Sequence, residues 1–184
     1  LNMTGKKTRI LFMGTPEFAV PSLELLVEKA WPIIGVVTQP DRPKGRGQHL
    51  VASPVKQVAE RHGLTVLQPE KVRATEFLEV FRGLAPDMVV LVAFGQILPK
   101  DIIDGPPLGC INVHPSLLPK YRGAAPMNWA LIRGEEKTGV SIMRMDEGVD
   151  SGDILLQEET PIEPGETYDH LHDRLAVLGA QCLL

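Results

Sequence analysis

Short apolar runs alternate with segments of helical spacing along most of this 184-residue chain. That alternation narrows its fold more than any other feature. Arg9 to Met13, Ile33 to Val37, Leu64 to Leu67 and Asp87 to Ala93 read as strands. Val20 to Ala30, Val55 to His62 and Glu76 to Leu84 read as helices, the first with Pro21 in its opening turn. Strands separated by helices imply right-handed crossovers, because a right-twisted strand feeding a helix packs back onto the sheet in that hand. The expected architecture is therefore three-layer α/β and Rossmann-like, a mainly parallel sheet flanked by helices. Pro126 to Arg133 and Tyr168 to Leu184 are further expected helices, the latter with Leu171, Leu175 and Leu178 on one face. Gly139 to Met145 and Asp153 to Gln157 are the last expected strands. Only Asp146 to Gly152 joins them, so they are expected to form an antiparallel pair near the C-terminal edge.

Bulk properties exclude some classes. Hydrophobic residues at 43% and charged residues at 23% are ordinary for a globular domain. No run of about 18 apolar residues occurs, so no membrane span is expected. Residues 1–7 lack the apolar core of a signal peptide and are expected to be a disordered or non-native N-terminus. The two cysteines, Cys110 and Cys182, lie far apart and are expected as reduced thiols in a cytoplasmic setting. No Cys/His grouping has metal-ligand spacing, so no metal is expected. A net charge of −4 argues against coating nucleic acid non-specifically, but leaves room for a local basic patch. The final helical pattern runs into Cys182-Leu-Leu without a cap, so more chain is expected beyond Leu184.

Chemistry concentrates in Gly109-Cys-Ile-Asn-Val-His-Pro-Ser-Leu-Leu-Pro119. Residues two apart on a strand face the same side, so Asn112 and His114 project together where Pro115 stops the strand. In open α/β sheets, ligands bind beyond the carboxyl ends of strands. An amide donor beside an imidazole suits a reaction passing through an oxyanion, and a pair of satisfied core polar residues is the plainer alternative. The acid-rich loop Asp146 to Asp153 leaves the last central strand and can fold back over this pair, although spacing alone does not select among its acids.

Other motifs carry less. Gly14-Thr-Pro-Glu lacks the glycines of a dinucleotide fingerprint and the Lys of a P-loop, so a tight turn is favoured. The Thr38 to Ser53 loop carries Arg42, Lys44 and Arg46 against Asp41. It reads as a solvated surface loop or as an arm that pairs with phosphates. His170 and His172 read as surface residues, His49 and His62 as bland, and Trp31 and Trp129 as packing anchors.

At His114-Pro-Ser-Leu-Leu-Pro-Lys-Tyr-Arg-Gly-Ala-Ala-Pro126 and Asp150-Ser-Gly-Asp-Ile154 the chain resembles the tetrahydrofolate-dependent formyltransferase family. The resemblance covers nearly all of residues 8–184 and implies that they form a formyltransferase catalytic domain. It places catalytic roles on Asn112, His114 and Asp150. Phe12 to Pro21 and Gln39 to Gly47 are similar to members that formylate initiator methionyl-tRNA for translation initiation. Those members carry a C-terminal OB-like tRNA-binding domain, which is not expected within these 184 residues. The resemblance implies 10-formyltetrahydrofolate as formyl donor, held by Phe94, Gly95, Gln96, Ile97, Leu98, Ser116, Leu117, Leu118, Pro119, Met145 and Asp146. It implies tRNA contacts at Arg42, Lys44 and Arg46, no membrane partner, and a monomer. Hydrolysis of the donor, formyl transfer to a small amine, and non-catalytic folate binding are the alternatives.

Overall fold

The computed structural model describes residues 7–44 and 49–184. Its centre is a seven-stranded sheet in the order β5-β2-β1-β6-β7-β8-β9. The five strands β1 (Ile10–Gly14), β2 (Ile33–Val37), β5 (Val66–Leu67), β6 (Met88–Val92) and β7 (Cys110–His114) run parallel. β8 (Lys137–Arg144) is antiparallel to β7, and β9 (Ile154–Pro161) is antiparallel to β8 and forms an exposed edge. This is the expected three-layer arrangement with its antiparallel C-terminal edge.

The sheet separates two cores. On one side α1 (Val20–Glu28), α2 (Pro54–Arg61) and α6 (Tyr168–Leu183) pack over Phe12, Val36, Val90, Val113 and Val140. On the other, α3 (Thr75–Leu84) and α4 (Lys100–Asp104) cover Leu11, Met13, Val89, Leu91 and Cys110. Strand alternation makes this division: Ile111 and Val113 turn toward α6, and Cys110, Asn112 and His114 turn the other way. Leu171 and Leu175 are fully buried, as their helical spacing implies, and Leu178 packs partly against them. Gly179 permits the close approach of α6 to β7, since a Cβ there would stand 2.7 Å from Val113 Cγ1.

Two elements escape a reading by periodicity. The segment expected as the loop Thr38 to Ser53 contains a separate antiparallel pair, β3 (Arg42–Lys44) with β4 (His49–Val51). Three-residue strands, Arg-Pro-Lys and His-Leu-Val, are too short to show alternation, and Leu50 and Val51 are exposed, so pattern cannot find them. The Pro-rich connector before β7 contains α4, a single turn or so entered from Pro99 and anchored by buried Ile102 and Ile103. Trp31 packs against the core, but Trp129 is 48% exposed on α5 (Pro126–Ile132) and anchors nothing. No described helix is long and apolar enough to cross a membrane. Residues 1–6 and Arg46 lie outside the described residues, and with them the expected disordered N-terminus and the expected phosphate contact of Arg46.

The α6 seam makes a testable demand. Leu175→Ala removes a side chain with no exposed surface. It is expected to cost about 2–5 kcal/mol, read as a lower urea midpoint at unchanged slope.

Candidate functional site

A cleft of about 640 Å³ opens at the carboxyl ends of β1, β6 and β7. Sequence places one element at each corner. The turn after β1 brings Pro16 and Phe18, the turn after β6 brings Phe94 to Ile97, and β7 ends at Asn112 and His114. Thr15 Oγ1 donates to the Phe94 carbonyl at 2.9 Å, and the Gln39 amide reaches the same oxygen at 3.3 Å. The ends of β1, β2 and β6 are thereby tied together beside the cleft.

β7 sits between β6 and β8, with Asn112 paired to Leu91 on one side and Met143 on the other. Asn112 is 8% exposed and His114 5%, and both line the cleft. His114 Nε2 donates to the Tyr121 carbonyl at 2.9 Å. A carbonyl only accepts, so that nitrogen carries a proton. His114 Nδ1 lies 3.5 Å from Asp150 Oδ2. An imidazole with a second proton on Nδ1 therefore meets an acceptor at both nitrogens. Asp150 Oδ2 also accepts from the Gly123 backbone N–H at 2.7 Å, so the carboxylate is fixed from two directions.

Topology explains how Asp150 reaches this point. Because β8 is antiparallel, it exits beside Ile111, at the start of β7. The loop to β9 folds back along the face bearing Asn112 and His114. Tyr121, Ala125 and Asp150 all hold positive φ, at 57°, 55° and 46°. Non-glycine residues in this region cost on the order of 1–3 kcal/mol each and gather where a backbone is held for a purpose. Nearby Cys110 shares the strand face but is no nucleophile, since burial pushes its thiol up to about 12.

The expected donor residues divide. Phe94, Gly95, Gln96 and Ile97 line the cleft, with Ile97 93% exposed at its mouth. Leu98 is buried in the core beneath them. Ser116, Leu117, Leu118 and Pro119 do not line it. Ser116 Oγ donates to the Lys120 carbonyl, and Leu118 N donates to Ser141 Oγ, so this run braces β8. Met145 packs toward the α3 and α4 core, and exposed Asp146 accepts from Gly148 N and Ser151 Oγ within its own loop. Neither touches the cleft.

Sequence reading misses the opposite wall. Met127, Tyr168 and His172 line the cleft, although His172 reads from sequence as a surface residue. Its ring meets Phe18 edge-on with centroids 5.5 Å apart. Thr167 starts α6 by accepting from His170 N, and that helix start turns His172 inward while leaving His170 exposed. A signal is present in the spacing, because His172 lies three positions before buried Leu175 and four before buried Ala176.

Arg42 stands beside the cleft across Pro16, in a second depression of about 380 Å³. Its guanidinium is exposed and meets Glu70 at 3.3 Å. Lys44 takes part in the same hairpin through its backbone pairing with His49. The hairpin's base is fastened by Asp41, which accepts from Lys56 Nζ and Gln68 Nε2, each at 2.7 Å. A larger depression of about 870 Å³ lies at the amino ends of β1 and β6. Its polar groups pair with one another, Arg82 with Asp101, Lys100 with Asp104, and the Arg9 guanidinium with the Leu84 and Ala85 carbonyls.

The hydrogen bonds at the hairpin base, Lys56 first and Gln68 second, hold the Asp41 carboxyl below its usual 3.8. A lowered carboxyl stabilises above its unfolded value and loses that contribution as pH falls through the native one. The hairpin base is expected to stay fastened at about pH 5 and to open only below 3.8, read from the Asp41 carboxyl ¹³C shift.

Residues 6–184 match the profile of the formyl transferase family. A methionyl-tRNA formyltransferase of Syntrophus aciditrophicus (strain SB) is 65% identical over 97% of this chain and 57% of its own length. That of Geotalea uraniireducens (strain Rf4) is 59% identical over 95% and 56%. The chain thus spans little more than half the length of the curated relatives it matches. Among solved structures, glycinamide ribonucleotide transformylase 1 from Symbiobacterium toebii superposes with a TM-score of 0.80 at 21% identity, over 100% of this chain and 87% of its own. A formyltetrahydrofolate deformylase from Pseudomonas syringae pv. tomato gives 0.77 at 21%, over 98% and 61%. These two likenesses concern the fold.

Proposed function

The chain belongs to the formyl transferase family, and from that premise we propose that it moves a formyl group from 10-formyltetrahydrofolate to the α-amine of initiator methionyl-tRNA. The observation that carries the reading is the convergence of Asn112, His114 and Asp150 in one cleft. The names of the most similar relatives support the acceptor.

In this reading the neutral amine attacks the formyl carbon and a C–N bond forms. The carbonyl π electrons move to oxygen, giving a tetrahedral oxyanion. Asn112 donates its amide N–H to that oxygen, and the Nδ1 proton of His114 supports the same charge. The intermediate collapses as N10 of the folate leaves with the bonding pair and takes up, through Asp150 and water, the proton that the attacking nitrogen gives up. Asp150 also keeps His114 oriented, since it is pinned by Gly123. Phe94 to Ile97 form the wall along which the flat rings of the donor lie, apolar faces on one side and backbone polar groups at the edge.

Arg42, and by sequence Lys44 and Arg46, meet the acceptor's phosphates. The Arg42–Glu70 pair is exposed at both ends, a weak kind of pair that a phosphate readily replaces.

Asn112→Ala is expected to lower kcat by about 10²–10³ with the circular-dichroism spectrum intact. Matching losses are expected for His114→Ala and Asp150→Ala in transfer of labelled formyl to charged initiator tRNA. Near-normal turnover in all three would sink the assignment, and formate released without any acceptor would point to hydrolysis instead. Arg42→Ala is expected to raise KM for the tRNA and leave donor affinity alone; an equal loss of donor affinity would remove the arm from the acceptor's path.

A further inference from the structure

Next to the cleft lies a depression of about 370 Å³ that the reaction scheme leaves idle. Its rim carries Lys120, Arg122 and Arg133 against the single acid Glu135. Both Glu135 oxygens already accept from Lys120 Nζ, at 3.2 and 3.0 Å, and the Tyr121 hydroxyl donates to one of them. Among the described residues, neither Arg122 nor Arg133 forms an ion pair, and Glu135 is the one acid on the rim. Such a local excess of positive charge in a chain of net charge −4 is a footprint for a polyanion.

The depression is also aromatic. Trp129 is 48% exposed while its α5 neighbours Met127 and Ala130 are buried. The Arg133 guanidinium carbon sits 5.5 Å from the Tyr121 ring centroid and 5.9 Å from that of Trp129. A guanidinium held over two rings keeps its N–H donors free for a phosphate, and the indole offers a face for a base. Unfilled charge beside an open aromatic face is what single-stranded nucleic acid recognises.

Continuity with the reaction centre locates the ligand. Ala124 lines both the depression and the cleft, and the Tyr121 backbone carbonyl holds His114. We propose that this depression seats a nucleotide near the 3′ end of the RNA acceptor, its base stacked on Trp129 and its phosphate bound by Arg122 and Arg133. The proposal rests on the acceptor being an RNA, as the reaction proposed for this cleft requires. It adds a second contact, across the cleft from the Arg42 hairpin. Gripping the strand on both sides would hold the aminoacyl end over Asn112 and His114.

The test measures binding of the chain to fluorescein-labelled tRNA and to a short single-stranded RNA of the same 3′ sequence, by anisotropy at several salt concentrations. Trp129→Ala is expected to weaken both about fivefold or more, and Trp129→Phe to restore most of the loss because a ring remains. Arg122→Ala is expected to flatten the plot of log affinity against log salt by about 0.7, one phosphate's share. With Trp31→Phe as background, RNA is expected to quench the remaining Trp129 fluorescence. Unchanged affinity and salt slope in these variants, with wild-type RNA binding intact, would overturn this seat alone. A loss of affinity for tetrahydrofolate oligoglutamate in place of RNA would overturn it in favour of the donor's anionic tail. Wild-type protein that neither binds RNA nor formylates charged tRNA would overturn the seat together with the RNA acceptor.

Discussion

Pairing of β7 on both sides, to β6 in parallel and to β8 in antiparallel register, is the constraint on which the rest depends. Parallel pairing sets the height of Asn112 and His114 at the rim where β1 and β6 also end. Antiparallel pairing sends the chain out of β8 at the far end of β7, so the next loop must travel back over the polar face. A crossover helix in place of that loop would have covered Asn112 and His114 with apolar side chains. The change of strand direction is thus what allows a carboxylate to face an imidazole at a sheet otherwise built to exclude charge.

Polar groups in this region are held by backbone as much as by side chains. The Tyr121 carbonyl fixes one nitrogen of His114, and the Gly123 N–H fixes one oxygen of Asp150. Both come from the same short turn between β7 and α5, where Tyr121, Gly123 and Ala125 all hold positive φ. That turn is braced in its own right by Glu135, which gathers Lys120 and the Tyr121 hydroxyl. Rigidity therefore passes from an ion cluster on the surface, through backbone, to the ring at the centre.

Much of this is legible in the sequence, for physical reasons that also mark where legibility stops. The parallel strands are buried on both faces and read as unbroken apolar runs; Ile33–Val37 has the same limits in sequence and in structure. Asn112 and His114 share a face because strand periodicity leaves no choice. Asp150, by contrast, comes from a loop holding several acids, and only its contacts separate it from Asp146, which folds onto its own turn. The β3–β4 hairpin is invisible because it buries nothing. The run Ser116 to Pro119 looks apolar and lies beside the site in sequence, and only its hydrogen bonds to Ser141 and Gln157 reveal that it packs against the sheet's edge. Local sequence reports which face a residue takes, while the partner across space decides what that face meets.

Cys110 has one more consequence. It stands two residues before Asn112 on the same face of β7, fully buried, and its thiol stays protonated through the physiological range. A thiol in that state offers neither electrophiles nor oxidants a thiolate to attack. A sulfur atom thus lies close behind the polar face of β7 without putting a reactive thiolate beside Asn112 and His114.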